Sequence, residues 1–289
     1  MNVTITDVVL RDGLQDEPRI VRTTDKVAIA RALTEAGIST IEAVSFVSPK
    51  RVPQMADAPE FASQLPFGDP RVRFSALALN AKGIDNAVAA GFQTIHIAVS
   101  AGAGHSQANV GRSTESALDQ LGEATRAHPG IEFIAGISTA FNCPFDGEVD
   151  PARLVDITSR LVDLGILRVG LADTLGTAST RQVSASLEAV RSAHPSIELG
   201  LHLHNAHGQA LDTAVAAAKD GIQRFDSALG GYGGCPFAPG AHGNVATEEL
   251  VDTFHAHGIQ TGIDPEGLTR ARAILHEALQ QGQKIAVDA

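Results

Sequence analysis

The sequence predicts an α/β protein folded as a (β/α)₈ barrel, the TIM-barrel architecture, with a short additional helical segment at its C-terminal end. Three observations predict this fold. Eight short stretches rich in Val, Ile and Leu alternate with helix-compatible stretches. The 289 residues suit one such barrel, which usually takes about 250 residues. Aromatic residues make up only 4% of the chain, so the core must rest on the aliphatic side chains that buried parallel strands require.

Each candidate strand precedes a polar or helix-compatible stretch. The eight candidates cover residues 3–10, 40–46, 72–78, 94–100, 132–139, 167–174, 198–205 and 224–231. Eight strands that alternate with helices form either a closed barrel or an open doubly wound sheet. The count favours the barrel, and no GxGxxG motif follows any of the first strands to favour the open sheet.

Glycines mark the predicted junctions between helices and strands. Helical stretches end at Gly37, Gly91, Gly165 and Gly221, each followed at once by apolar, strand-forming residues. A glycine just past a helix adopts the left-handed conformation at no steric cost and lets the chain turn. This pattern is typical of successive βα units. The first helix is expected to begin with Thr24 as its N-cap.

We expect a single catalytic domain over residues 1–289. The barrel would occupy about residues 1–245 and a helical extension about residues 246–289. Gly and Pro near residues 262–265 predict a break within this extension. The extension is expected to pack against the barrel.

Composition narrows the possible partners and the cellular setting. The formal net charge is −11, from 22 Lys and Arg against 33 Asp and Glu, which argues against a nucleic-acid binder. Two cysteines are too few for a disulfide framework, and no apolar run approaches the roughly 20 residues of a membrane span. No basic-then-apolar leader precedes the first strand pattern. We therefore expect a cytoplasmic protein that binds neither nucleic acid nor membrane.

Residues 199–205, LGLHLHN, contain two histidines at alternate positions of a predicted strand. Alternate residues of a strand face the same side, so His202 and His204 are expected to project together, with Leu201 and Leu203 towards the helices. Two converging imidazoles suit a metal ion, because neutral His is a common ligand. Two hydrogen-bonded core histidines are the alternative, although so close a pair is costly to bury unpaired.

Charged side chains are predicted at the ends of other strands, where barrel enzymes carry their catalytic groups. Arg11 and Asp12 are placed at the end of the first strand, Glu42 near the end of the second and Asp173 at the end of the sixth. Asp12 offers a hard oxygen ligand, and Arg11 offers a cation for a developing oxyanion. A structural ion pair between Arg11 and Asp12 is the alternative.

A glycine-rich segment follows the last predicted strand. Residues 230–234 are GGYGG, and Cys235 comes directly after them. Such a loop can move and can approach a ligand closely, carrying Cys235 over the barrel mouth as a candidate acid or base. The alternative is a flexible loop with an incidental thiol. Asn244 lies just beyond, and its amide oxygen is a candidate to complete a metal's ligand set.

These segments resemble those of the hydroxymethylglutaryl-CoA lyases, a family of TIM-barrel metallolyases related to Claisen-type synthases. The resemblance spans nearly the whole chain, in the family's order. The matching segments are RDGLQDE (11–17), IEAVSFVSPKRVPQM (41–55), NVGRSTES (109–116), ADTLGTA (172–178), HLHNAHGQAL (202–211) and GGYGGCPFAPGAHGNVATEEL (230–250). The Gly-Gly-Cys-Pro run is the most specific of them, because the related synthases generally lack it.

The resemblance implies a divalent cation, Mg²⁺ or Mn²⁺, held by Asp12, His202, His204 and Asn244. Zn²⁺ is also compatible with this mixed oxygen and imidazole set. Glu248 would support the metal shell from outside. An acyl-CoA substrate and a homodimer are further implications of the resemblance, as is a role in leucine degradation.

The resemblance also implies roles in a retro-Claisen cleavage, in which a 3-hydroxyacyl thioester gives acetyl-CoA and a ketone. Arg11 would stabilise the enolate oxygen and Cys235 would be the acid/base of the mobile loop. Glu42 and Asp173 would orient groups and share protons. Three further residues are expected to bind substrate: Gln15, Ser45 and Thr174.

Several residues depart from the family's pattern. Asp16 and Pro18 stand where the family usually has Asn and a basic residue, and Arg51 stands where it often has Trp. Asn205 and His207 replace the usual Asp and Tyr after the histidine pair. The proposed ligands are intact, so these departures bear on the identity of the acyl chain. A longer, prenyl-type branch or a more polar one is expected to suit this altered mouth.

Two other functions compete with the lyase. A Claisen-type acyl transferase or an aldolase would share Arg11, Asp12 and the histidine pair, but would not explain the Gly-Gly-Cys-Pro run. A non-catalytic acyl-CoA-binding relative would not need to keep Arg11 together with Cys235. Release of acetyl-CoA separates the three, because the lyase forms it, the synthase consumes it and the binding protein does neither.

Overall fold

Eight parallel strands close into a barrel in the computed structural model, which describes residues 1–234 and 243–284. The strands are β1 Thr4–Asp7, β2 Thr40–Ser45, β3 Arg73–Leu77, β4 Thr94–Ser100, β5 Glu132–Ser138, β6 Arg168–Asp173, β7 Glu198–Leu203 and β8 Arg224–Ser227. Each strand pairs with its neighbours in the chain, and β8 pairs with β1. The predicted barrel and its eight strands are confirmed.

Ten helices are described, and those that follow the strands cover the outside of the barrel. They are α1 Thr23–Glu35, α2 Ala58–Ala62, α3 Ala81–Ala89, α4 Ala103–Val110, α5 Thr114–Arg126, α6 Pro151–Asp163, α7 Thr180–Ala193, α8 Ala210–Lys219, α9 Thr247–Ala256 and α10 Pro265–Gln281. Their buried faces pack on the outward side chains of the strands and form one core of aliphatic residues and Phe. No helix among the residues described is long and apolar enough to cross a membrane.

The prediction for the start of α1 was wrong. Thr24 lies inside the helix, and Arg22 occupies the N-cap position without a side-chain capping bond. Arg22 instead pairs with Asp25, Nε to Oδ2 at 2.7 Å, so an ion pair across the first turn takes the place of a hydroxyl cap. Asp25 also places a negative charge near the positive end of the helix dipole.

The predicted glycine junctions are confirmed. Gly37, Gly91, Gly165 and Gly221 all have positive φ, between 79° and 97°. Gly37 is further restricted, because a Cβ there would lie 2.6 Å from the carbonyl oxygen of Gly262. The turn after α1 is therefore packed against the segment that leads into α10.

The first and last strands end three or four residues earlier than predicted, and both corrections concern the barrel mouth. The first strand stops at Asp7, and Val9–Gly13 form a short π-helical turn. The carbonyl of Val8 accepts hydrogen bonds from the backbone N–H groups of residues 11, 12 and 13, which turns the chain inward. The last strand stops at Ser227 and is followed by a 3₁₀ turn. Arg11 and Asp12 therefore lie on a turn above β1 instead of on the strand itself.

The C-terminal segment forms α9 and α10, with the break near residues 262–265 confirmed. Asp264 caps α10 by accepting hydrogen bonds from the N–H groups of Glu266 and Gly267, both at 3.0 Å. Gly267 lies so close to Ala36 that an added Cβ would be 2.8 Å from its Cα. Helix α10 thus packs closely against the end of α1 and, through it, against the barrel.

Candidate functional site

Two histidines from β7 meet at the carboxyl end of the barrel. The Nε2 atoms of His202 and His204 lie 3.1 Å apart, as the alternation of the strand predicts. The other ring nitrogen of His202, Nδ1, lies 3.3 Å from a carboxylate oxygen of Asp226 on β8. A carboxylate in that position favours the tautomer with the proton on Nδ1, which leaves Nε2 free to bind a cation. Burial opposes protonation of His202, but Asp226 and Asp12 outweigh it and raise its pKa above the ordinary value.

Asp12 completes a cluster of three possible ligands. Its carboxylate and one nitrogen each of His202 and His204 all lie within 4.8 Å of one another. Asp12 is 6% exposed. Burial by itself would raise the pKa of Asp12, but the charge of Arg11 and of the histidines holds it below the usual range. The carboxylate is therefore ionised at neutral pH and available to a cation.

Asn244 lies beside this cluster, and its hydrogen bonding favours a cation there. Its amide nitrogen donates to Asp12 Oδ2 at 2.7 Å and to the carbonyl of Tyr232 at 2.9 Å. Its amide oxygen is buried and meets no donor among the residues described. An unsatisfied buried acceptor costs about 1–3 kcal/mol, and a cation bound to that oxygen would remove the cost. The four predicted ligands are thus brought together, and their chemistry fits a divalent metal ion.

Arg11 is held between two carboxylates at the rim of the same cavity. Its Nη1 pairs with Asp12 and its Nε pairs with Glu42. Glu42 also accepts a hydrogen bond from Nδ1 of His96 at 2.9 Å. Burial opposes ionisation of Glu42, yet Arg11 and His96 hold its pKa well below the usual range. Glu42 therefore remains a carboxylate that fixes the guanidinium and carries no proton at neutral pH.

The three predicted substrate-binding residues all line the cavity. Gln15, Ser45 and Thr174 contribute to its wall near the mouth. The hydroxyl of Ser45 is buried without a hydrogen-bond partner in the described part of the chain. It is therefore a donor available to a bound ligand. The hydroxyl of Thr174 already accepts the backbone N–H of Thr139 at 2.7 Å.

Two predicted residues lie outside this constellation. Asp173 is not part of the cavity wall as described; its carboxylate accepts the N–H groups of residues 176, 177 and 178. It shapes the loop after β6, because its side chain follows the outward register of the strand. Glu248 accepts the N–H of Gly230 at 3.0 Å and does not contact the four candidate ligands. It holds the start of the glycine-rich segment.

The predicted acid/base Cys235 falls within residues 235–242, outside the described residues. The chain on either side is described and belongs to the site. Gly234 lines the cavity, and Asn244 lies against Asp12. Gly233 has a φ of 103°, and a Cβ there would lie 2.8 Å from the carbonyl oxygen of Asp12. Only glycine fits where this segment passes the metal-ligand turn.

Three residues of the site were missed from the sequence. Asp226 on β8 and His96 on β4 face the inside of the barrel. Each lies two residues from another cavity-lining residue of its own strand, Arg224 on β8 and Ala98 on β4. The strand alternation that identified the histidine pair was a signal for both. Asp7 falls in the middle of the longer first strand that the pattern predicts. The available signal for Asp7 was a charged residue within an otherwise uncharged strand, five residues before Asp12.

Asp7, at the end of β1, links three segments that carry site residues. It is fully buried, and its carboxylate accepts hydrogen bonds from Val9 N at 2.9 Å, Leu229 N at 3.0 Å and the Thr247 hydroxyl at 2.7 Å. These donors begin the turn that carries Asp12, the glycine-rich segment and α9. One carboxylate therefore sets the relative positions of Asp12 and Asn244.

Asp7 also predicts a pH dependence of stability. Burial raises its pKa from 3.8 to about 7, so the folded protein binds this proton more tightly than the unfolded chain. The associated stability is full below about pH 4 and is lost as pH rises through about 7. Urea unfolding with a chelator present should therefore show a smaller loss of stability between pH 5 and pH 8 for Asp7→Asn than for the wild type. Parallel pH profiles would contradict this assignment.

A family model described as HMGL-like matches residues 2–275, which is nearly the whole barrel and its extension. The chain belongs to this family. Within it, the chain is 40% identical to the (R)-citramalyl-CoA lyase of Chloroflexus aurantiacus, over 93% of this chain and 88% of that protein. It is also 38% identical to the mitochondrial hydroxymethylglutaryl-CoA lyase of Bos taurus, over 96% of this chain and 86% of that protein, and both relatives are named as carbon–carbon lyases.

Solved structures of this family share the fold throughout. The HMG-CoA lyase of Brucella melitensis superposes with a TM-score of 0.91 at 38% identity, over 97% of this chain and 99% of that chain. An HMG-CoA lyase from Acinetobacter baumannii, in complex with coenzyme A and 3-methylmalate, gives a TM-score of 0.92 at 35% identity, over 99% and 93% of the two chains. The barrel of this protein therefore matches the HMG-CoA lyases from end to end.

Proposed function

We propose that this protein is a metal-dependent lyase that cleaves the C2–C3 bond of a 3-hydroxy-3-substituted glutaryl-CoA-type thioester. The observation that carries the proposal is the convergence of Asp12, His202, His204 and the unsatisfied oxygen of Asn244 beside Arg11. Relatives named as HMG-CoA lyase and citramalyl-CoA lyase support the reaction class, because both names describe a lyase that acts on a hydroxyacyl-CoA.

The donor set defines what the metal contributes. Asp12, His202, His204 and Asn244 would hold Mg²⁺ or Mn²⁺, and Zn²⁺ is also compatible with these ligands. A divalent ion bound there supplies Lewis acidity that makes the substrate's 3-hydroxyl more acidic. Asp226 keeps the His202 ring in the orientation that metal binding requires.

The reaction then depends on a positive group that stabilises the negative charge developing on the thioester. When a base takes the 3-hydroxyl proton, the oxygen's electron pair forms the second C–O bond of a ketone while the C2–C3 bond breaks. The bonding pair moves into the thioester, which becomes an enolate. Arg11, fixed by Asp12 and Glu42, offers its remaining N–H groups to that enolate oxygen. A proton delivered to C2 completes acetyl-CoA, and Cys235 is the acid we assign to this step.

Substitution of Arg11 tests the enolate step. We expect Arg11→Gln to lower kcat for acetyl-CoA release about 10²–10³-fold, because one preorganised oxyanion donor typically contributes that much. The metal content of the variant, measured by elemental analysis, should stay near one ion per site because all four candidate ligands remain. A kcat within threefold of the wild type would remove Arg11 from the chemistry.

The setting of the enzyme is also part of the proposal. An acyl-CoA partner agrees with the relative crystallised with coenzyme A. A cytoplasmic location is consistent with the bacterial relative in Bacillus subtilis, and a homodimer follows the resemblance to the family. A role in leucine degradation would require that hydroxymethylglutaryl-CoA itself be the substrate.

The direct test measures acetyl-CoA release from hydroxymethylglutaryl-CoA, with Mg²⁺ or Mn²⁺ and with a chelator. The lyase releases acetyl-CoA and loses activity when chelated. Consumption of acetyl-CoA with a keto acid would instead show an acyl transferase on the same barrel. Binding of acyl-CoA without turnover, with metal present, would show a non-catalytic relative.

A further inference from the structure

Several inward positions of the barrel below the candidate metal ligands carry very small residues. Barrels of this class are normally filled by layers of bulky, branched side chains from alternate strands. Here the register sets Ala98, Gly136, Gly170 and Gly200 side by side on the adjacent strands β4 to β7. Four of the eight strands therefore carry nothing larger than a methyl group at these paired inward positions.

The backbone conformation does not require glycine at these positions, although a Cβ at Gly200 would lie 3.3 Å from Arg224 Cβ. Gly136, Gly170 and Gly200 all lack the positive φ that would exclude other residues. A Cβ at Gly136 would meet only the carbonyl oxygen of Ile97 at 3.8 Å, and one at Gly170 only that of Ala135 at 3.9 Å. Both distances are ordinary van der Waals contacts. The effect of glycine here is to leave volume open inside the barrel.

This open volume is continuous with the candidate site. A single cavity is lined at the mouth by Ser45 and His202, and it passes the glycine row and Ile134. It ends at Glu198 and the two arginines that donate hydrogen bonds to it, Arg168 and Arg224. We call the part lined by Ala98, Ile134, Gly136, Gly170 and Gly200 the axial shaft.

The axial shaft is deep enough for a short alkyl chain. His202 and Glu198 are four residues apart on β7, about 13 Å along the strand and about 10 Å along the tilted barrel axis. Allowing for the floor side chains, the depth suits about four to six carbons in a row. The side of the cavity formed by the five residues of the axial shaft is aliphatic or bare backbone and favours an apolar occupant, while Thr6, His96 and Asp226 line other parts of the same cavity.

The floor does not select a charged group. Arg168 donates to Glu198 at 2.7 Å, and Arg224 donates to the other oxygen of Glu198 at 3.3 Å. Arg168 also pairs with Glu132 at 2.6 Å. The charges at this end of the barrel are thus engaged with one another, and an alkyl chain can end against their aliphatic stems.

We propose that the axial shaft receives the substituent on C3 of the substrate, and that the preferred substrate carries an unbranched or prenyl-type apolar chain of about four to six carbons there. This inference rests on the proposed lyase function. The hydroxyl must lie at the metal ligands and the thioester at Arg11, while the polar CoA arm must leave through the mouth. The carboxymethyl arm on C3 has a polar partner near the mouth, the Ser45 hydroxyl, which has no partner in the described part of the chain. The C3 substituent is then the group that remains to enter the barrel.

The first experiment compares hydroxymethylglutaryl-CoA with 3-butyl-3-hydroxyglutaryl-CoA on the wild-type enzyme. We expect kcat/KM for acetyl-CoA release to be at least about tenfold higher for the butyl compound, since each methylene accepted by an apolar pocket contributes up to about that factor. Equal or lower kcat/KM for the butyl compound overturns the inference, and the shaft then holds only water. Release from neither thioester overturns the proposed function as well.

Two filling variants give an independent test. Gly136→Leu and Ala98→Leu each place a branched side chain in the axial shaft, and each should lower the butyl-to-methyl ratio of kcat/KM at least about tenfold. Gly68→Leu is the matched control, because Gly68 lies in an exposed turn outside the cavity wall and a Cβ there would meet no atom within 4 Å. Circular dichroism checks folding. An unchanged ratio in a folded filling variant overturns the inference, and if neither folds the wild-type comparison decides it.

Discussion

His204→Ala is expected to abolish both metal retention and acetyl-CoA release while leaving the barrel folded. His204 is one of three candidate ligands whose atoms lie within 4.8 Å of one another, and a cation bound there would also satisfy the buried amide oxygen of Asn244. Loss of one ligand from so small a set removes both affinity and the Lewis acidity on which ionisation of the hydroxyl depends. Elemental analysis and the acetyl-CoA assay measure the two losses.

A matched substitution separates this effect from general damage. His276 is an exposed histidine on α10, and within the described part of the chain its side chain bonds only to Gln280. We expect His276→Ala to keep its metal and its rate. The circular dichroism spectrum of His204→Ala should match the wild type, because the strand keeps its backbone pairing and the outward Leu203 remains in the core. Full turnover by His204→Ala in the presence of chelator would refute the metal-dependent reaction.

Cys235→Ser is expected to keep the metal but to lower kcat about 10²–10⁴-fold, the usual contribution of one general acid or base. Cys235 is bonded to Gly234, which lines the cavity, and further along the same segment the chain reaches Asn244 at the metal-ligand cluster. Serine is close in size but a much weaker acid than a thiol, so the substitution changes proton transfer more than packing. Single-turnover assays at several pH values measure the loss.

Cys143 is the matched control for this substitution. It is a buried thiol that donates to Asp146 at 3.1 Å and is not among the residues lining the cavity. Cys143→Ser should therefore retain the wild-type rate. Equal losses in both variants would indicate a general sensitivity to thiol replacement, and a normal rate for Cys235→Ser would remove that residue from the mechanism.

The residue pattern within single segments was sufficient to predict the strands and the histidine pair. Both depend on alternation along one strand, and His202 and His204 face each other as that alternation requires. Asp12 was placed correctly at the mouth but on the wrong element. The turn that carries it is set by Val8 and Asp7, whose partners include Leu229, far away in the sequence.

The positions of the other site residues depend on contacts between distant segments, which the sequence of one segment does not predict. Asp173 was expected at the cavity, but the loop after β6 folds back so that its N–H groups reach the carboxylate. Asp226 becomes the partner of His202 only once β7 and β8 pair in register. The row of small residues that lines the axial shaft can be recognised only when four paired strands are compared, because a single glycine in one strand does not indicate a cavity.

The joining of Asp7 to Leu229 and Thr247 has a consequence for the order in which the protein assembles. Residues near the two ends of the barrel sequence must come together before Asp12 meets Asn244. Contacts of such long sequence separation form late in folding, because chain closure must precede them. The nascent chain therefore has no complete metal site until its last barrel strand and α9 have left the ribosome. Acquisition of a metal ion by the proposed ligands would then report that the barrel has closed.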